Sequence, residues 1–213
     1  MKLYHGSKVI IEKPTAGGSK PTNDYGASFY MTKDLKSAHE WACRNNSVGF
    51  VNEYRFDMAS LKVLDLTDSK KWSVLHWLAI LLHFRALDFG FVRSFQARLD
   101  FLEKKYYLDI SQYDVVIGYR ADDAYFRFPL DFVRGNLTIE QLERSFLLGD
   151  LGIQYALMSG KAVGRQEFVR AIPSSYRYVG AYFENVAKAT AAFDSLDKDE
   201  EGTRILDLMR DRR

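Results

Sequence analysis

Leu3-Tyr4-His5-Gly6-Ser7 and Tyr25-Gly26-Ala27-Ser28-Phe29-Tyr30-Met31-Thr32 both lie within the first 32 residues of the chain. The first run is a short apolar strand that puts a histidine directly before a glycine. The second puts Gly26 four residues ahead of Tyr30 on an aromatic strand. A helix is expected next, with Thr32 as its N-cap, Asp34 in its first turn, and Leu35, Ala38, Trp41 and Ala42 recurring at helical spacing on its inward face. Between the two runs, residues 15–24 hold Gly17, Gly18, Ser19, Pro21 and Asn23 without periodicity. They read as a mobile loop of the kind that closes over ligands.

The totals bound what surrounds these runs. The chain has 213 residues, 47% hydrophobic and 27% charged, enough for one good core and short for two. Its 30 basic and 28 acidic side chains nearly balance, which argues against holding nucleic acid by bulk electrostatics. The single cysteine, Cys43, excludes an internal disulfide and a multi-cysteine metal site, and the histidines show no metal-ligand spacing, so no metal is expected. Val9-Ile10-Ile11 is too short for a signal-peptide core, and the apolar stretch Trp72–Leu87 is too short and too interrupted to span a bilayer. A soluble cytoplasmic protein with no membrane partner is expected.

Further along, Val9–Pro14 reads as extended, and Phe50–Phe56 and Leu61–Leu66 read as neighbouring strands. Residues 69–108 read as two packed helices, with stripes Trp72/Leu75/Leu78/Ala79/Leu82 and Phe91/Phe95/Leu99/Leu102/Tyr106. Tyr113–Tyr119 is a strand, and the acidic Ala121-Asp122-Asp123-Ala124 follows it. Thr138 with Gln141 forms a capping box for a helix to Leu148. Ile153–Ser159 and Phe168–Ile172 are strands. Helical stretches at Asn185–Phe193 and Thr203–Met209 flank a charged run, Asp194–Glu201, that reads as a solvated linker.

His5-Gly6-Ser7, then Gly26-x-Ser28-Phe29-Tyr30, then the helix start Lys36-Ser37-Ala38-x-x-Trp41, resemble the NAD-binding half of diphtheria-toxin-type ADP-ribosyltransferases, a layout shared by the poly(ADP-ribose) polymerases. Roughly residues 1–165 also resemble an uncharacterised bacterial domain family of that superfamily, often found beside antitoxin-like genes. The motifs that carry this are Tyr4-His5-Gly6, Phe29-Tyr30-Met31-Thr32, Tyr113-Asp114-Val115-Val116, Ala121-Asp122-Asp123 and Ile153-Gln154-Tyr155. Their shared order is the stronger signal.

The resemblance implies an α+β fold with a split β core of two mostly antiparallel sheets around an NAD cleft, flanked by helices. It implies one domain over residues 1–175, with a helical insertion at 69–108, and a mostly helical extension over 176–213. It implies mono-ADP-ribosyl transfer from NAD, with release of nicotinamide, by a bacterial toxin or effector. The acceptor is a macromolecule, protein or nucleic acid, and an antitoxin protein is a possible partner. NAD glycohydrolysis and inactive NAD binding are the alternatives.

Residue by residue, the Gly6 backbone would hold the nicotinamide carboxamide beside Ser7. The absent side chain at Gly6 would admit the ring. His5 would bond the adenosine-side ribose, Tyr30 would stack on nicotinamide, and Trp41 would sandwich it. Ser28 or Ser37 would add a hydroxyl contact. The third corner, usually a glutamate on the ribose 2′-hydroxyl that stabilises developing positive charge, is Gln154 here. An amide carbonyl accepts a hydrogen bond but brings no charge. His5, Tyr30 and Gln154 are thus the expected catalytic set, with Glu140, Glu143 and Glu167 in reserve. On the residues alone, His5 also admits the reading of a strand-end histidine satisfied by backbone. Tyr30 also admits a core reading, Trp41 reads first as core packing, and Asp122 and Asp123 read first as turn formers or caps.

Overall fold

The computed structural model describes residues 1–44, 47–85, 95–121, 127–145, 152–195 and 201–211. The fold is α+β. Seven strands, β1 (Lys2–Ser7), β2 (Phe29–Thr32), β3 (Phe50–Phe56), β4 (Val63–Asp65), β5 (Val115–Tyr119), β6 (Ile153–Leu157) and β7 (Gln166–Pro173), form one sheet in the order β4-β5-β6-β2-β1-β3-β7. Among the described residues only β4 and β5 pair in parallel. The two expected sheets are therefore one sheet. Its two halves join through β1 and β2, which are in register only at Tyr4 and Thr32, whereas β1 follows β3 for six residues, Lys2 to Ser7. Beyond Tyr4 the sheet parts between β1 and β2.

Strand alternation sorts the side chains onto two faces. On one face, Leu3, Phe29, Met31, Tyr54, Phe56, Val115, Ile117, Tyr155 and Leu157 make a core that Ala162 closes. The larger core is on the other face, where Leu64, Val116 and Ala156 meet the helices. These are α2 (Val74–Arg85), α3 (Gln96–Tyr106), α4 (Arg127–Arg134), α5 (Ile139–Ser145), α7 (Arg177–Asp194) and α8 (Ile205–Arg210). A short α6 (Gly160–Val163) links β6 to β7. Helix α2 is no flank: Trp77, Leu78, Ile80 and Leu81 are buried at the centre of this core. Phe193 of α7 stacks on Phe128 of α4 at 4.1 Å between ring centres, and Ile205 of α8 is fully buried, so the C-terminal helices share the same core. Among the described residues no helix is long and apolar enough to cross a membrane.

Several local expectations change. Phe50–Phe56 and Leu61–Leu66 are not neighbours. Strand β3 has both edges taken, by β1 and β7, and β4 pairs with β5 on the far side of the sheet. Val9–Ile11 forms no strand; Asn52 and Tyr54 of β3 hold its backbone instead, through Ile11 N to Asn52 Oδ1 and Tyr54 Oη to Ile11 O. The N-cap of α1 (Leu35–Ala42) is Asp34, whose carboxylate accepts from Lys36 N and Ser37 N, while Thr32 Oγ1 accepts from Asp34 N. Leu35 is exposed, and Ala38 and Ala42 pack against Val51. The capping box at Thr138 forms in both directions, Thr138 N to Gln141 Oε1 and Gln141 N to Thr138 Oγ1. Gly90, Phe91, Asp122, Asp123 and residues 146–148 of the expected helix lie outside the described residues, as does most of the charged run.

Candidate functional site

The loop before β2 meets α1, the C-terminal end of α2, and the ends of β5 and β6 around a cavity of about 540 Å³. Its walls include Gly18–Lys20, Thr22–Asp24, Tyr30, Trp41, Arg44, Arg85, Arg120 and Gln154. A second cavity of about 210 Å³ is lined by His5, Ile11, Lys13–Thr15, Gly18, Ser19, Ser28, Phe29 and Tyr30. The two meet at Gly18, Ser19 and Tyr30. The first is within the size range of small-molecule sites.

Alternation along β1 and β2 explains the division. His5 shares its face with Leu3 and packs against Phe29, with ring centres 4.4 Å apart and planes tilted by 31°. Tyr30 points to the face that carries α1 and α2. The histidine reaches across the parting of the strands, and its Nδ1 lies 2.7 Å from Tyr30 O. A carbonyl only accepts, so Nδ1 carries the proton. Burial lowers the pKa of His5, outweighing the bond to Tyr30. The neutral ring therefore leaves Nε2 as an acceptor, and no described residue donates to it.

Tyr30 is held at both ends. Its hydroxyl donates to Gly26 O at 2.6 Å and accepts from Tyr25 N at 3.1 Å. Burial and the nearby Asp24 push its pKa up, so the phenol stays neutral. The ring is a fixed wall common to both cavities. Opposite it, Trp41 stands on α1 with the Arg120 guanidinium 4.7 Å from its ring centre. The Trp41 Nε1–H is buried and has no acceptor, a costly state for an indole donor.

Gln154 lies opposite Thr32 in the β2–β6 register and lines the larger cavity. Its Nε2 donates to Asp24 Oδ2 at 2.7 Å and to Tyr119 O at 3.3 Å. Asp24 is almost fully buried. It also accepts from Ala121 N at 2.8 Å and from Arg85 Nη1 at 2.8 Å. Burial pushes the Asp24 carboxyl up, and Arg85 and the N–H donors oppose this. Every partner of Asp24 is a donor, which fits the ionised form. Tyr119 O further accepts from Tyr25 Oη and Trp77 Nε1, both at 2.9 Å. Gly118 makes this possible, because a Cβ there would sit 2.1 Å from the Tyr25 hydroxyl.

The structure thus gathers Tyr30, Trp41 and Gln154 around one cavity, and His5, Ser28 and Tyr30 around the other. Ser7, Ser37 and Gly6 line neither. Ser37 Oγ is committed to Asp34 Oδ2 at 2.6 Å and serves the helix start. Ser7 Oγ accepts from Asn52 Nδ2 at 2.9 Å. Ser28 Oγ contacts Met158 Sδ at 2.9 Å. The reason for glycine at position 6 is also corrected: a Cβ there would lie 2.0 Å from Ala38 O and 2.7 Å from Ala42 N, so its absence admits α1. Glu167 pairs with Arg55 on the surface, and neither Glu140 nor Glu143 lines either cavity.

Lys20, Asp24, Arg44, Arg85 and Arg120 are the site residues that the sequence did not single out. Lys20, Arg44 and Arg120 bring positive charge to its wall, which suits an anionic ligand, while Arg85 is paired with Asp24 at 2.8 Å. Among the described residues no group of three or more His, Cys, Asp or Glu could hold a metal ion.

No curated protein and no solved structure matches the chain significantly. Residues 1–168, which include every strand up to the start of β7 and both cavities, match the family described as "Protein of unknown function (DUF3990)", and the chain belongs to that family.

Proposed function

We propose that the paired cavities bind NAD and that the protein transfers ADP-ribose from it to a macromolecular acceptor. The observation that carries this reading is the junction at Tyr30. One anchored aromatic ring is common to a neutral His5 with a free acceptor nitrogen and to a cationic cavity holding Gln154. Tyr30 offers a flat face to nicotinamide. Nε2 of His5 accepts from a ribose hydroxyl. The cations suit a pyrophosphate. Gln154 orients the nicotinamide ribose through its 2′-hydroxyl.

The C1′–N bond of nicotinamide breaks with its electron pair leaving on nicotinamide. An acceptor nucleophile then bonds C1′ and releases its proton to solvent. The split β core, with the β1–β2 parting as its cleft, belongs to this reading. So do the toxin role and an antitoxin partner, which rest on the resemblance to bacterial domains beside antitoxin-like genes.

The test is incubation of the full chain with NAD labelled in its adenylate half, alone and with protein or RNA acceptors. Nicotinamide release with label on a macromolecule is expected, and His5→Ala and Tyr30→Ala should lower both by about tenfold or more. Free ADP-ribose without a labelled acceptor makes water the acceptor. Absence of nicotinamide release from all mixtures overturns the reading.

A further inference from the structure

Gln154 occupies the corner where the resembled enzymes carry a glutamate, and Asp24 contacts it from a loop 130 residues earlier in the chain. On the NAD reading above, we propose that Asp24 is a positioning residue: from the loop it fixes the Gln154 amide so that Oε1 accepts the ribose hydroxyl.

The amide orientation follows from its partners. Nε2 sits between two acceptors, Asp24 Oδ2 at 2.7 Å and Tyr119 O at 3.3 Å. Both amide hydrogens are thereby used. A flipped amide would set Oε1 against a carboxylate and a carbonyl, losing both bonds and adding repulsion. No described residue donates to Oε1, and Gln154 lines the cavity, so Oε1 is available to a ligand hydroxyl. Asp24 is itself fixed, by Ala121 N and Arg85 Nη1, each at 2.8 Å. Polarisation runs from the carboxylate through the amide to Oε1, as in other buried hydrogen-bond chains.

The same geometry excludes glutamate at position 154 while Asp24 is present. Two carboxylates at this separation cannot both ionise, and Tyr119 O would face an acceptor in place of the Gln154 N–H. Exchanging the two groups does not restore the set, because Asp24 Oδ2 also accepts from Ala121 N and Gln154 Nε2 also donates to Tyr119 O.

The test measures kcat and KM for nicotinamide release, with melting temperature, for the wild type, Gln154→Glu and Asp24→Asn. Gln154→Glu, which restores the residue usual in the resembled enzymes, should lower kcat by about tenfold or more with little change in KM. Asp24→Asn should do the same. Gln154→Glu at or above wild-type rate, or a folded Asp24→Asn with wild-type kcat, overturns the proposal while leaving the NAD reading intact. A wild type that releases no nicotinamide ends both. Should Gln154→Glu fail to fold, Gln154→Met takes its place: reduced kcat at an unchanged melting temperature supports the proposal, and wild-type kcat overturns it.

Discussion

His5 Nδ1 donates to Tyr30 O across 2.7 Å, so a side chain bridges the strands where their register ends. Removing the imidazole strands the Tyr30 carbonyl and deletes the contact with Phe29. His5→Ala should cost about 1–3 kcal/mol of stability, the range for a lost buried bond. It should also lower nicotinamide release by about tenfold or more, beyond what the stability loss explains. Urea unfolding beside an NAD assay checks both, and a variant with wild-type turnover excludes His5 from the site.

Acid should loosen the fold in a defined direction. Burial lowers the pKa of His5 and of His39, the latter helped by Arg177, from an ordinary value of 6.5. Above 6.5 both residues are neutral folded or unfolded. Below it the unfolded chain binds protons that the folded chain does not, so stability falls as pH drops from 6.5 toward the folded values. Asp24, pushed up by burial, acts in the opposite sense. Comparison of melting temperatures at several pH values between wild type and His5→Gln/His39→Gln cancels that contribution. The double variant should show the shallower decline, and equal declines contradict the assignment.

Trp41→Phe separates stability from binding. The indole N–H is buried without an acceptor, so its removal should leave the melting temperature unchanged or raise it. If that N–H serves a ligand, affinity for NAD or ADP-ribose should weaken by about tenfold, or about 1.4 kcal/mol. Calorimetric titration of both variants reads this, and unchanged affinity places the ligand elsewhere.

Gly6→Ala tests the packing of α1 on β1. The added methyl would meet backbone atoms at 2.0 and 2.7 Å, and the helix must move. A loss of about 1–3 kcal/mol or more is expected from such overpacking. A melting temperature within a degree of wild type would mean that α1 is not fixed there.

Much of the strand framework was legible because its signals are local. Phe29–Thr32, Phe50–Phe56 and Ile153–Leu157 carry aromatic and β-branched residues at strand spacing, and Thr138/Gln141 announces its helix with a capping box. Pairing was less legible. β3 and β4 are close in the chain, but nothing local says that β3 finds β1 and β7 while β4 joins β5. Among the residues lining the cavities, His5 and Tyr30 were legible because each sits in a recognisable run. Asp24 and Arg85 were not: one lies in an aperiodic loop, the other ends an apolar helix. Only tertiary structure makes them a pair 61 residues apart. A charged residue closing a strongly apolar helix was the available signal, since Arg85 could be buried there only with a counter-ion.

The stacking of Phe193 on Phe128 and the burial of Ile205 have a practical consequence for anyone cutting this gene. The family match ends at residue 168, inside β7, which runs from Gln166 to Pro173. A fragment stopped at 168 would sever the outermost strand and strip the covering from Phe128 of α4. It should emerge insoluble or bind hydrophobic dyes, whereas the 213-residue chain should not. The matched stretch is thus shorter than the stretch that shares the core.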